Sequence, residues 1–161
     1  MSWSPDGKLL LFESNFGIQL LNLDTQRVSK LPATEGLYSP QMSPDGKYFS
    51  AEKGYPEPVK LLLYNFRTKE SVELANARSL VDHRWAHDGK YVYFEAFMES
   101  GPAIFRVGVG NRKIERVASV EGIRRVWTGS TSWFGLAPDD SPILLRDIGT
   151  QEIYALDWEA P

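Results

Sequence analysis

Short runs of aliphatic and aromatic residues, separated by polar turns, recur along the whole chain. They form two sets, the first at residues 9–12, 48–51, 91–94 and 143–145 and the second at 18–23, 59–66, 103–107 and 153–158. Runs of this length predict β-strands, and the continuous ones are typical of strands that are buried on both faces. The chain is therefore predicted to be all-β.

Two further strands are predicted in most units. Apolar and polar side chains alternate at 28–31, 72–74 and 114–117, as in a strand with one face in solvent. Another strand is predicted before each polar turn, at 38–42, 80–85 and 133–136, while 123–127 is either an extra strand or an extended linker. Residues 75–80 predict a loop with at most one helical turn, because six residues are too few for a stable helix.

A four-residue turn phrase returns once in each predicted unit. Its copies are Ser4-Pro5-Asp6-Gly7, Ser43-Pro44-Asp45-Gly46, Ala86-His87-Asp88-Gly89 and Ala137-Pro138-Asp139-Asp140. The aspartates are 39, 43 and 51 residues apart, close to the length of one propeller blade. The sequence thus predicts one domain, a β-propeller segment of about four four-stranded antiparallel blades, with repeat units at 1–35, 36–77, 78–121 and 122–161.

The residue types of the phrase are those of a type I turn followed by a G1 bulge. Serine can bond the backbone, proline presets φ, and glycine accepts the positive φ of the fourth position. His87 replaces the proline in the third copy, and Asp140 replaces the glycine in the fourth. We expect Asp6, Asp45, Asp88 and Asp139 to form turns rather than bind a metal, because separate blades hold them too far apart for one ion.

Composition and charge narrow the range of functions. The 161 residues, 42% of them hydrophobic, suffice for one core. A net charge of −3 argues against nucleic-acid binding by this segment. The chain has no cysteine, so disulfides, thiolate zinc sites and thiol nucleophiles are excluded. Its apolar runs are far shorter than the roughly 20 residues that cross a bilayer, so no membrane segment is expected.

The turn phrase and the strand after it resemble the WD40-like repeat of TolB-type bacterial β-propellers. The resemblance covers essentially the whole chain, with three good copies and a partial fourth. It implies the C-terminal propeller part of a larger bacterial regulatory protein, in a periplasmic or other extracytoplasmic compartment. Because such propellers usually have six or more blades, we expect an open part of a larger ring. Its uncovered strand edges and apolar blade face predict self-association.

The sequence lacks the catalytic motifs that would indicate an enzyme. No Gly-x-Ser-x-Gly elbow and no kinase catalytic loop is present, and His83 and His87 alone make a weak metal site. We expect no cofactor, and a non-catalytic module for protein interaction or ligand sensing in a signalling protein. The alternative is a regulatory propeller attached to a Ser/Thr protein kinase or a prolyl-oligopeptidase-like peptidase, whose catalytic residues lie outside this chain.

Candidate binding residues follow from the usual place of binding in propellers. Loops and innermost strands converge at the mouth of the central channel. Tyr38, His83, Arg84 and Trp133 are predicted to lie near such a mouth. Arg124 and Arg125 belong to a locally basic stretch, which is either a solvated strand and loop or a rim patch for a protein partner.

Overall fold

The computed structural model describes residues 1–54, 58–128, 131–150 and 152. Blade 1 contains β1 (Ser2–Trp3), β2 (Leu9–Ser14), β3 (Gly17–Asn22) and β4 (Arg27–Lys30). Blade 2 contains β5 (Leu37–Met42), β6 (Tyr48–Lys53), β7 (Val59–Asn65) and β8 (Glu70–Ala77). Blade 3 contains β9 (Ser79–Trp85), β10 (Tyr91–Met98), β11 (Gly101–Gly108) and β12 (Ile114–Ser119). Each blade is a four-stranded antiparallel sheet whose strands follow one another in chain order.

The described part of blade 4 contains two short hairpins. In the first, β13 (Trp127–Thr128) pairs with β14 (Thr131–Ser132), and in the second β15 (Phe134–Leu136) pairs with β16 (Pro142–Leu144). The predicted strand at 153–158 lies outside the described residues. Residue Arg125 forms an isolated antiparallel bridge with Arg146.

The first strand of each blade lies on the inner side of the stack. Strand β5 packs against β1, β2 and β3, and β9 packs against β5, β7, β14 and β15. At the other side of blade 1, all four residues of β4 are exposed to solvent. The described residues contain no helix, and the sheets do not close into a ring. The prediction of an all-β, incomplete propeller segment is confirmed.

A separate apolar core fills each of the three junctions between neighbouring blades. Buried residues such as Leu11 and Phe49 form the first junction, between blades 1 and 2. The second junction, between blades 2 and 3, joins residues such as Leu61 to Phe94. The third junction, between blades 3 and 4, is smaller and is built around Tyr93, Ile104 and Phe134. Each blade is thus stabilised chiefly by its neighbours.

The expectation of a loop at 75–80 is wrong. Strand β8 extends through Ala77, and β9 begins at Ser79, so the two blades are joined by a single residue. Ala75 and Ala77 are only 4% and 6% exposed, and they belong to the apolar core of the second junction. Small side chains suit this position because they let the outer strand of blade 2 approach blade 3 closely.

Blade 4 has a turn one residue shorter than the other blades. Met42, three residues before Asp45, pairs with Phe49, four residues after it. Leu136 precedes Asp139 by the same three residues but pairs with Pro142, only three residues after it. Because side chains of a strand alternate between faces, this shift reverses the faces of β16 relative to a simple alignment of the repeats.

Candidate functional site

The turn phrase is held by hydrogen bonds within a few residues. The Gly7 amide donates to the Ser4 carbonyl at 2.9 Å, and Gly7 has a φ of 70°. The Ser4 hydroxyl donates to Asp6 Oδ1 at 2.6 Å and accepts from the Leu9 amide at 2.8 Å. The Lys8 amide also donates to Asp6 Oδ1. This arrangement recurs in blade 2 with Ser43 and Asp45 in the same roles.

These bonds lower the pKa of the turn aspartates. For Asp6 the largest cause is the Ser4 hydroxyl, followed by the Lys8 amide. For Asp88, whose turn has alanine in place of serine, the largest cause is the Lys90 amide, and for Asp139 it is the Ser141 amide. Hydrogen bonds to the ionised carboxylate favour it over the protonated form. The carboxylates therefore serve the turns in their charged state.

Neighbouring turns also touch one another. A Cβ placed on Gly46 would lie 3.7 Å from Pro5 Cδ, and one placed on Gly89 would lie 3.7 Å from Pro44 Cδ. The proline at the second position of one turn therefore lies next to the glycine at the fourth position of the next. In the last pair these positions hold His87 and Asp140, and the carboxylate of Asp140 accepts hydrogen bonds from the His87 amide and imidazole. Pro138 is exposed beside this contact.

The second strand of each complete blade carries a glutamate seven residues after the turn aspartate. These are Glu13, Glu52 and Glu95. Each one reaches the following blade, Glu13 through the Ser39 amide at 2.7 Å, Glu52 through the His83 imidazole, and Glu95 through the Arg125 guanidinium. This repeated carboxylate was missed in the sequence reading. The constant spacing of seven residues from the turn aspartate could have revealed it in the sequence. Its partners could not, because they share no residue type.

The second junction contains the pair Glu52 and His83. Glu52 Oε1 lies 3.2 Å from His83 Nδ1, and the two side chains are 7% and 1% exposed. His83 was expected near a channel mouth, but its ring is fully buried against blade 2. Alternation along β9 explains the difference, because Asp82 and Arg84 lie on the opposite face of that strand.

The third junction contains the pair Glu95 and Arg125. Both side chains are 5% exposed, and Arg125 also donates to the Trp133 carbonyl at 3.1 Å. The Ser132 hydroxyl lies 3.4 Å from the same carboxylate. Arg125 was predicted as part of a surface patch, and this expectation is wrong because its guanidinium is used to neutralise a buried carboxylate.

The remaining candidates have accessible side chains. Arg84 donates to Asp82 and to the His83 carbonyl, and its guanidinium lies 5.8 Å from the centre of the Phe134 ring. Trp133 is 43% exposed and Tyr38 is half-buried. Arg124 is exposed and donates to the Asp147 carboxylate and the Gly149 carbonyl, so it lies on the surface near the end of blade 4.

Three of these candidates lie at different heights on the inner strands. Tyr38 is the second residue of β5, Arg84 is the sixth residue of β9, and Trp133 directly precedes β15. The three residues therefore lie at different positions along the inner strands rather than at one common end. Within the described ranges no group of three histidine or acidic side chains could hold a metal ion. No helix in the same ranges has the length and hydropathy required to cross a bilayer.

No protein-family model and no curated protein matches this sequence. Solved structures do match. TolB from Acinetobacter baumannii superposes with a TM-score of 0.68 at 23% identity, over 92% of this chain and 38% of that chain. An oligogalacturonate lyase in complex with manganese gives a TM-score of 0.62 at 18% identity, over 84% of this chain and 39% of that chain. The fold is that of a TolB-like β-propeller.

A third similar structure is the β-propeller domain of the Trilobed protease from Pyrococcus furiosus. It gives a TM-score of 0.56 at 16% identity, over 68% of this chain and 36% of that chain. At such identities the likeness is one of fold, and fold by itself does not determine activity. This propeller segment spans about two fifths of the length of each of the three structures.

Proposed function

We propose that this chain is a non-catalytic binding module, one segment of a larger propeller with repeat units at 1–35, 36–77, 78–121 and 122–161. The observation that supports the proposal is that both histidines of the chain take part in structural contacts. His83 binds Glu52 between blades, and His87 binds Asp140 between turns. Both histidines therefore act as structural groups, while polar and aromatic side chains of the inner strands remain accessible to a partner.

The proposed binding surface is the inner wall formed by Tyr38, Arg84 and Trp133. Arg84 is 28% exposed in its side chain and combines a cation with the aromatic ring of Phe134 beneath it. Trp133 adds an exposed indole on the next blade. Tryptophan, tyrosine and arginine are the residue types that contribute most to binding at protein interfaces. A protein segment is the partner that this surface fits best, in a signalling protein outside the cytoplasm.

Binding can be tested by titrating the isotopically labelled chain with three capped pentapeptides, one acidic, one basic and one apolar, and recording amide and indole shifts. We expect one peptide to shift the signals of Tyr38, Arg84 and Trp133. Trp133→Ala should weaken that binding by about tenfold or more. Trp3→Ala is the matched control, because Trp3 is 58% exposed on blade 1 and should not affect it.

Three results would overturn this proposal. The first is an absence of binding by all three peptides, and the second is an equal loss of binding in Trp3→Ala and Trp133→Ala. The third is turnover of a fluorogenic peptide or of oligogalacturonate by the purified chain. The two substrates correspond to the activities in the names of two similar structures, a protease and an oligogalacturonate lyase. Turnover of either substrate would contradict the non-catalytic role.

A second candidate function is a regulatory propeller attached to an enzyme. Its support is that the similar structures include the propeller domain of a protease and a lyase. In that case the inner wall would contact the substrate or the catalytic domain of the same protein. Adding a catalytic domain in trans and following its activity with wild-type and Trp133→Ala chains distinguishes this function from stand-alone recognition.

A further inference from the structure

Three of the four turn phrases contain an aspartate that is followed by glycine. These pairs are Asp6-Gly7, Asp45-Gly46 and Asp88-Gly89. In each turn the glycine has a φ between 68° and 70°, and its amide donates to the carbonyl three residues earlier at 2.9 Å or 3.0 Å. Glycine has no side chain to shield its amide nitrogen, so this nitrogen can approach the aspartate carboxyl more closely than that of any other residue. The chain therefore contains three equivalent positions for the isomerisation of aspartate to isoaspartate.

This isomerisation needs no co-reactant other than water. The glycine nitrogen attacks the aspartate Cγ and closes a succinimide ring, while the carboxyl hydroxyl leaves with the amide proton as water. Water then opens the ring at the carbonyl carbon of the former main chain, so that the peptide chain runs through Cγ and the α-carboxylate becomes free. The hydroxyl leaves from the protonated carboxyl, so hydrogen bonds that stabilise the ionised carboxylate oppose the first step.

Asp45 and Asp88 are a matched pair that differs in one hydrogen bond. Each side chain is 46% exposed, and each carboxylate accepts from the amide two residues later and lies 3.2 Å from the lysine Nζ of that same residue. Asp45 also accepts from the Ser43 hydroxyl at 2.7 Å, and this hydroxyl is held in place by the Tyr48 amide at 3.0 Å. The residue at the position of Ser43 in the third turn is Ala86, which has no hydroxyl.

We propose that Asp88 is the position at which this chain isomerises first. Its carboxylate lacks the hydroxyl bond that restrains Asp6 at 2.6 Å and Asp45 at 2.7 Å. The imidazole of His87 does not replace this bond, because it is paired with Asp140. The Asp88 side chain therefore reaches the protonated, reactive arrangement more often. The loss of one hydrogen bond of ordinary strength corresponds to a reaction that is about fivefold faster.

Isoaspartate at this position alters the contact between the second and third turns. The main chain becomes one methylene longer before Gly89, and the carboxyl group that accepts from the Lys90 amide becomes part of the backbone. Gly89 lies next to Pro44 of blade 2, since a Cβ on Gly89 would be 3.7 Å from Pro44 Cδ. A displacement of Gly89 therefore changes the packing of the two turns, and we expect the isomerised chain to unfold at a lower temperature than the unmodified chain.

Peptide mapping of the folded chain after ageing at mildly acidic pH tests the proposal, with electron-transfer fragmentation to distinguish isoaspartate from aspartate. We expect isoaspartate to accumulate about fivefold faster at Asp88 than at Asp45. Ala86→Ser should slow the reaction of Asp88 to the rate of Asp45. The reciprocal change, Ser43→Ala, should accelerate the reaction of Asp45 to the rate of Asp88. Asp6 is the internal control, because its bond to Ser4 is unchanged in both variants.

The same experiment in urea separates the fold from the local sequence. The three aspartates of the denatured chain should isomerise at similar rates, because the serine bond exists only in the folded turn. The proposal is overturned if Asp88 stays unmodified in the folded chain, or if Asp6 or Asp45 reacts as fast as Asp88. It is also overturned if Ala86→Ser, verified as folded by far-ultraviolet dichroism, leaves the rate of Asp88 unchanged, or if the difference in rate persists in urea.

Discussion

The second and third junctions each contain a glutamate at the equivalent position of its blade, but the two glutamates have different partners. In the second junction Glu52 meets an imidazole, and in the third Glu95 meets a guanidinium, with every one of these side chains at most 7% exposed. An imidazole can lose its proton and still donate a hydrogen bond, whereas a guanidinium stays charged in proteins. The two junctions therefore tolerate the loss of the carboxylate charge to different degrees.

The contacts between neighbouring turns also differ between the second and third junctions. Pro44 lies next to Gly89 at the second junction, where a Cβ on Gly89 would be 3.7 Å from Pro44 Cδ, while His87 and Asp140 form a hydrogen-bonded pair at the third. Each residue alone is an exception to the repeat, and Asp140 has a φ of 63°, which usually favours glycine. Together the two exceptions compensate for each other. A polar contact replaces an apolar one at the junction whose apolar core is smaller.

The largest effect is expected from Glu95→Gln. Removing this charge leaves Arg125 buried without a counter-ion, which costs about 3–5 kcal/mol in the free energy of unfolding. Urea denaturation followed by fluorescence measures the loss. A double variant, Glu95→Leu with Arg125→Met, should regain most of that stability because it buries no unpaired charge. A double variant as unstable as Glu95→Gln would contradict this explanation.

A smaller loss is expected from Glu52→Gln, the matched change in the second junction. The neutral imidazole of His83 can donate to the new amide oxygen, so the cost is about 1–3 kcal/mol. The same denaturation experiment compares the two variants directly. An equal or larger loss in Glu52→Gln than in Glu95→Gln would show that the partner's ability to lose its proton does not decide the difference.

The contact between His87 and Asp140 predicts that the effect of His87→Pro on stability depends on the residue at position 140. His87→Pro removes both the amide and the imidazole that donate to Asp140, and we expect a loss of about 1 kcal/mol in the free energy of unfolding. In the Asp140→Gly background the same change recreates the Pro–Gly contact of the other turns, so the loss should vanish. Thermal unfolding of the four proteins measures this coupling. Equal losses in both backgrounds would rule out compensation between the two residues.

The smallest effect concerns acid stability. Burial raises the pKa of Asp45, but the Ser43 hydroxyl and the Lys47 amide outweigh it, so the pKa lies below its ordinary value of 3.8. A carboxyl with a lowered pKa in the folded state contributes stability above its unfolded pKa and loses it as pH falls through the folded value. Asp45→Asn should therefore flatten the decline of stability below about pH 4. Stability profiles of the variant and the wild type as a function of pH test this, and identical slopes would contradict it.

The repeated turn could be predicted because all its hydrogen bonds are local. The Ser4 hydroxyl, the Asp6 carboxylate and the Leu9 amide lie within five residues of one another, so their spacing in the chain nearly fixes their geometry. The strand pattern was equally informative, since period-2 alternation and short apolar runs reflect burial on one or both faces of a strand. These two signals were enough for the propeller fold.

The candidate site was predicted less well. Tyr38, Arg84 and Trp133 are accessible, but His83 and Arg125 are buried, because strand alternation and a distant carboxylate decide where each side chain lies. The shortened turn of blade 4 is visible in the sequence as the missing lysine after Asp140. Its consequence, the exposure of Ile143 and Leu145, follows only from the pairing of β15 with β16.

By itself the sequence determined the blade period, because the turn phrase returns after 39, 43 and 51 residues. It also determined the turn geometry and the position of the repeated glutamate, because both are relations among residues a few positions apart. Only the tertiary structure decided the partners of Glu13, Glu52 and Glu95, which lie 26 to 31 residues away in the next blade. The repeat places a carboxylate on the second strand of each complete blade. The group that pairs with this carboxylate depends on how two neighbouring sheets pack, and that relation has no fixed spacing along the chain.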